Sequence, residues 1–236
     1  MLINLRNAML SGGKRTPTAA DYIQDGLVAL WDGIENAGWG QHDPNATVWK
    51  DLVGSYDISL NSNASWSNDH IIINGYSGAA AAACPSSVEG KTIEVVCQHN
   101  YYNSSAWQYL VSVYGANSRP RQFAAFRGNS SAASVGGGYY HRYFDSASSS
   151  RAASISSFSP DLAYEDGVPK ITTQASAYGS NGGVVTLGAS SPSDRASFQF
   201  RGNCFSIRVY NTNLTQSEIL ANYAVDKARF NLPDAT

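Results

Sequence analysis

The sequence predicts an all-β protein: an antiparallel two-sheet sandwich with a short C-terminal helix. Many short apolar runs are separated by turn residues at close spacing, the pattern of sandwiches and barrels. The closing stretch, residues 204–219 (CFSIRVYNTNLTQSEI), encodes a strand, a turn and a capped helix start. A chain of 236 residues fits one large β domain or two small ones and is long enough to bury a sizeable core.

Residues 1–21 read as an N-terminal arm and linker. Leu2, Leu5, Met9 and Leu10 make one short amphipathic face, which Ser11, Gly12 and Gly13 then break. Such an arm either frays or orders on a partner, and docking would make it a route to homo-oligomers. The start is a poor signal peptide, because its charges follow the apolar residues and Asn4, Arg6 and Asn7 interrupt the run. Residues 22–236 form the main domain, with the helix expected at about 215–230.

Within that domain, residues 26–31 (GLVALW) read as the first strand and 47–54 (TVWKDLVG) as a short element closed by glycine. Residues 71–75 (IIING) are a strand running into a turn. In 92–97 (TIEVVC) the side chains of Ile93, Val95 and Cys97 share one face. Strands follow at 109–114 (YLVSVY) and 122–127 (QFAAFR). Residues 162–170 make a hairpin turning at Asp166-Gly167. Residues 184–188 and 198–201 lead into the last strand, where Phe205, Ile207 and Val209 alternate with Ser206, Arg208 and Tyr210. Thr215 stands three residues before Glu218, the spacing of a capping box, with Leu214 and Ile219 at the staple positions.

These residues resemble the LamG-like, concanavalin A-like jelly-roll superfamily. Gly202, Ile207, Arg208, Val209, Tyr210, Asn211, Leu214, Thr215, Glu218 and Ile219 match its closing strand and helix. Residues 25–33 (DGLVALWDG), 49–54 (WKDLVG), 92–95 (TIEV), 164–168 (YEDGV) and 187–189 (LGA) are similar to its earlier motifs. The resemblance runs from about residue 25 to 230 and implies a jelly-roll sandwich. Residues 130–159 match none of it. Residues 5–38 also resemble the amino ends of phage and prophage structural proteins of gut bacteria. That implies a virion protein assembled in the bacterial cytoplasm, in contact with other virion proteins. An extracellular or cell-surface protein is the alternative.

Composition excludes several classes. Charged residues are 14% and the net charge is −2, so the electrostatics of a nucleic-acid binder are missing. No apolar run approaches the ~20 residues that span a bilayer, so membrane insertion is not expected. Cys84, Cys97 and Cys204 lack metal-ligand spacing, and Cys97 and Cys204 fall on strands as small buried hydrophobes. No cofactor is expected. Calcium, common in LamG-like domains, is the one open possibility; Asp32, Glu35, Asp43 and Asp51 come nearest to a cluster but lack EF-hand spacing. Asp51 reads better as a turn residue bonding its own backbone.

The superfamily includes retaining glycoside hydrolases, whose branch carries Glu-x-Asp on one strand. Glycoside hydrolysis needs two carboxylates about 5–5.5 Å apart in a retaining enzyme. None of Glu35, Glu89, Glu94, Glu165 and Glu218 is followed two residues later by Asp. A non-catalytic protein is therefore expected, with a hydrolase as the least favoured alternative. Sugar binding needs less: an exposed aromatic ring for a pyranose face, and amides or carboxylates for its hydroxyls. The candidates are Trp39 with His42, Tyr102 with Trp107, and Tyr139, Tyr140 and Tyr143, all read as loop residues. The tyrosine cluster fits a subunit interface equally well. Trp31 and Trp49 read as core. The expected function is a phage structural or decoration protein binding glycans or partner proteins. The alternative is a free-standing carbohydrate-binding or adhesion module.

Overall fold

The computed structural model describes residues 15–84, 92–99, 108–114, 120–127, 130–135, 138–143, 154–158, 163–165, 168–170, 172–175, 183–189 and 199–232, with side chains for 15–80, 92–98, 108–112, 184–189 and 199–232. The strands are β1 (Leu27–Asp32), β2 (Val48–Trp49), β3 (Ile58–Leu60), β4 (Ala64–Trp66), β5 (Ile71–Asn74) and β6 (Gly78–Cys84). They continue as β7 (Thr92–His99), β8 (Gln108–Tyr114), β9 (Pro120–Arg127), β10 (Ser130–Val135), β11 (Gly138–Tyr143) and β12 (Ser154–Phe158). The last are β13 (Ala163–Glu165), β14 (Val168–Lys170), β15 (Thr172–Ala175), β16 (Gly183–Leu187) and β17 (Arg201–Tyr210), and one helix follows, α1 (Gln216–Phe230).

Two antiparallel sheets form the expected sandwich. One has the order β14-β13-β12-β7-β17-β5-β4, with β1 also pairing β17. The other runs β15-β11-β10-β9-β8-β16-β6-β3-β2. The expected hairpin at Asp166-Gly167 has its flanks in register, Glu165 opposite Val168. Residues 130–159, which matched no motif, supply β10, β11 and β12.

The core between the sheets comes from alternate residues of both. Ala29, Trp31, Ile71, Ile73, Ile93, Val95, Cys97, Cys204, Ile207 and Val209 meet Trp49, Ile58, Ala80, Leu110, Val111, Val185 and Leu187. Trp31 and Trp49 are buried as expected, with their ring N–H groups donating to the carbonyls of Tyr56 at 3.1 Å and Asp32 at 3.0 Å. Phe205 departs from the expected alternation. The β7 register shifts between Cys204 and Ser206, so the strand carries one extra residue there. Cys204 then faces the core, while Phe205 packs with Val96 and Phe230 on the opposite face.

That opposite face is covered by α1, so Ser206, Arg208 and Tyr210 are buried rather than solvated. The helix starts as its sequence requires: Glu218 accepts from the Thr215 amide at 2.7 Å and the reciprocal capping bond is present. Leu214 and Ile219, the staple pair, share a buried cluster with Ala19, Tyr22, Leu27, Leu30, Leu52 and Tyr210. Asn231 ends the helix in the left-handed conformation, its amide donating to the Lys227 carbonyl.

Between α1 and the sheet lies a polar layer. Arg208 donates to Glu94 at 2.9 Å and to both Asp226 oxygens at 2.7 and 2.6 Å, with Tyr22 stacked at 4.1 Å. Asn222 donates to Glu94 at 2.7 Å and to the Tyr210 hydroxyl at 2.9 Å, and accepts the Ile23 amide at 2.9 Å. Tyr22 donates to Asp226 at 2.7 Å. Burial alone would lower the Arg208 guanidinium, but the charges of Asp226 and Glu94 outweigh it and hold it well above its ordinary value.

Candidate functional site

The loop between β1 and β2 is built on that same layer. Asp32, at the end of β1, accepts the amides of Ile34 at 2.9 Å and Glu35 at 3.1 Å and the guanidinium of Arg229 at 2.7 Å. Glu35 is buried and uses both oxygens. Oε1 takes the Ala19 amide at 2.9 Å and Arg229 at 3.2 Å, and Oε2 takes the Gly40 amide at 2.9 Å. Asn36, fully buried, clamps the far side of the loop: its amide donates to the Asp43 carbonyl at 2.9 Å and accepts the Asp43 N–H at 2.8 Å. A turn closes between Gly38 and Gln41, where the Gln41 amide donates to the Gly38 carbonyl at 2.9 Å.

Trp39 sits at the tip of this loop and is 45% exposed, although its backbone neighbours are fixed from two sides. His42 is exposed on the same loop, with Nδ1 3.1 Å from the Ile34 carbonyl. An indole held out on a pinned loop is preorganised for stacking, with little ordering left for a ligand to impose. Sequence reasoning found Trp39 and His42 but missed Asn36 and Arg229, and read Glu35 only as one acid of a cluster. The available signal was weak: an Asn between Glu35 and Ala37 in a short loop, and an arginine in the last turn of the helix.

The other candidates part company. Tyr102 and Trp107 lie outside the described residues. Tyr139, Tyr140 and Tyr143 were expected on a loop; they belong instead to β11, opposite Ser134, Ala133 and Ser130 of β10. Strand pairing on both edges, with β10 and β15, overrides the glycine-rich look of that segment.

The four acids considered for calcium have other partners. Asp32 and Glu35 pair with Arg229. Asp51 accepts the amides of Leu30 at 3.0 Å, Val53 at 3.1 Å and Tyr56 at 3.2 Å, so it is a turn residue that also ties down β1. Asp43 accepts the Asn45 amide at 2.8 Å. Among the described residues no group of three His, Cys, Asp or Glu side chains comes together to hold a metal. Burial raises the Asp32 carboxyl above its ordinary value in spite of Arg229. Its Oδ2 is buried without a hydrogen bond, which fits that direction.

No family model matches the sequence, and no curated protein matches it. Solved structures do share the fold. Trypanosoma rangeli sialidase in complex with sialic acid is 16% identical at a TM-score of 0.59, over 91% of this chain and 34% of the sialidase. The same sialidase bound to a difluoro-nononic acid is 14% identical at a TM-score of 0.59, over 95% of this chain and 36% of that one. The chain thus spans about a third of the length of these sialidases. A Ruminococcus gnavus IT-sialidase CBM40 is 16% identical over 66% of this chain, and its TM-score of 0.41 is too low to align sites. The expectation of a non-catalytic protein is corrected by the first two: structures that superpose on nearly all of this chain are enzymes. The reason is that a short chain can match a fold contained within a larger enzyme, where a missing Glu-x-Asp motif says nothing.

Proposed function

We propose that this β-sandwich binds glycans, with the indole of Trp39 as the platform for a sugar ring. The observation that carries the reading is Trp39 itself, held out at 45% exposure on a loop clamped by Glu35 and Asn36. His42 and Gln41, both exposed on the same loop, offer polar groups for hydroxyls. The likeness of the fold to part of a sialidase solved in complex with sialic acid supports the same class of ligand. Titration of the full chain with a panel of neutral and acidic oligosaccharides tests it, read by tryptophan fluorescence. Binding that Trp39→Ala reduces at least tenfold is the expected result. Binding to none of the panel overturns the reading.

Placement on a phage particle is the finer part of the proposal. It is supported by the resemblance of residues 5–38 alone. Light scattering on the full chain and on one beginning at Arg15 tests whether the preceding residues assemble the protein. That truncation keeps the contacts of Pro17 and Ala19 with Arg229 and Glu35.

A further inference from the structure

Away from α1, the outward face of the β17-β5-β4 edge forms an open groove of about 440 Å³. Directly paired residues in antiparallel strands stand side by side on one face, and every second residue returns to it. Arg201 pairs with Asn74, whose amide donates to the carbonyl of Asn63 at 3.0 Å, so these three make one row across β17, β5 and the residue that leads into β4. Two residues on, Asn203 pairs with Ile72 and Ile72 with Ser65, and on its other edge Asn203 pairs with Gln98. The Asn203 amide donates to Gln98 at 2.8 Å, which fixes that end of the second row.

The composition of the two rows is specific. Arg201 is exposed, and no acidic side chain among the described residues pairs with it. Among the described side chains, the acids of this sheet, Asp32 and Glu94, are instead paired with Arg229 and Arg208. Asn74 and Ser65 are exposed hydrogen-bonding groups. Ile72, 39% exposed, is an apolar patch on the groove's floor. One unpaired guanidinium, neighbouring amide and hydroxyl groups and an apolar floor match a sugar ring that carries a carboxylate. The guanidinium fork takes a carboxylate bidentately, the amide and hydroxyl take ring hydroxyls, and the aliphatic face takes C–H groups.

We infer that this groove is a binding site for a carboxylate-bearing saccharide, with Arg201 as the residue that selects the acid. The inference rests on the glycan-binding reading and names a second surface and ligand class for it. Neither Trp39 nor its loop lines the groove.

The test is backbone-amide NMR of the full chain titrated with 2,6-sialyllactose, with lactose, and with lactose bearing a sulfate in place of the acidic sugar. Sialyllactose is expected to shift the amides of Arg201, Asn74 and Ser65 where lactose leaves them in place. Arg201→Gln is expected to weaken that binding about tenfold or more, the scale of a charged hydrogen bond. Asn74→Asp, which sets a carboxylate directly across from Arg201, is expected to do the same. Equal shifts with lactose, equal affinity for the sulfated sugar, or undiminished binding by Arg201→Gln overturns the inference. If neutral sugars quench Trp39 while sialyllactose leaves the groove amides unmoved, glycan binding stands and this site falls. If no saccharide binds, both fall.

Discussion

Glu35 accepts the amide of Gly40 at 2.9 Å, so the loop tip that presents Trp39 hangs from a buried carboxylate. The other oxygen of that carboxylate is held by Arg229 and by the Ala19 amide. The loop that carries Trp39, the helix and the chain before β1 therefore meet at one side chain. Glu35→Gln is expected to destabilise the fold by about 2–4 kcal/mol, through the weakened Arg229 pair and a donor turned against the Gly40 amide. Trp39→Ala is expected to change stability by less than about 0.5 kcal/mol, as an exposed substitution. Urea unfolding and sugar titration on both variants check this: sugar affinity falls in each, and stability in only the first.

Arg208 makes the strongest demand on the layer beneath α1. It joins strand β7 through Glu94 and the helix through Asp226, with all three side chains buried. Arg208→Leu leaves two carboxylates in a dry site and is expected to cost about 3–5 kcal/mol. Arg208→Lys is expected to recover little, because one ammonium cannot reproduce the fork that engages both Asp226 oxygens. Denaturant midpoints for the two variants, compared at equal slope, check the order.

Local patterns suffice for some elements of this fold and not for others. The capping box and staple of α1 depend on residues within one turn, and Thr215, Glu218, Leu214 and Ile219 all do what their spacing implies. The core face of β7 follows from alternation alone. Arg208 looked solvated because its burial depends on α1 folding back over β17, a contact that no local pattern contains. Phe205 looked like core because a one-residue bulge cannot be seen in periodicity. The groove was illegible for the same reason: Arg201, Asn74 and Ser65 become neighbours only through strand register. Trp39 was legible as a loop aromatic, but Glu35 and Asn36, which clamp that loop, were not.

Asp32 sets a pH dependence with a defined sign. Its folded carboxyl is raised above the ordinary value of 3.8, chiefly by burial, so the folded state holds the proton more tightly than the unfolded chain. Its contribution to stability is therefore full below about 3.8 and declines as pH rises through the raised folded value. Asp21, half-buried and paired with the exposed Arg15, is lowered and acts oppositely, its contribution lost as pH falls through its folded value. Unfolding free energies of wild type and Asp32→Asn across pH 3–7 separate the two. Expected is a wild-type advantage that shrinks with rising pH, whereas a growing advantage would reverse the assignment.

Cys97 and Cys204 stand opposite each other on β7 and β17, and both are buried. Burial pushes the Cys204 thiol well above its ordinary value, so little nucleophilic thiolate forms near neutral pH. Alkylation by iodoacetamide at pH 8, followed by peptide mass spectrometry, is expected to leave both residues unmodified in the folded protein. In denaturant both should react fully. Rapid native labelling of Cys204 would place that strand nearer to solvent than the core contacts allow.

Two glycines with similar backbones separate conformational strain from packing. Gly188, at φ +79, follows β16, and a Cβ there would lie 2.0 Å from the carbonyl oxygen of Gly75. Gly40, at φ +68, has nothing within 4 Å of such an atom. Both substitutions to alanine carry the left-handed cost of about 1–2 kcal/mol. At Gly188 the backbone of the turn after β5 must also move, and that turn is tied to the strand start through the Gly75 amide and the Phe200 carbonyl at 2.9 Å. Gly188→Ala is expected to cost at least about twice what Gly40→Ala does, measured by thermal unfolding. Gly40→Ala is expected to act instead on sugar affinity, because the strained residue adjoins Trp39 and donates to Glu35. Equal melting temperatures for the two variants would show that the Gly75–Gly188 contact yields without cost.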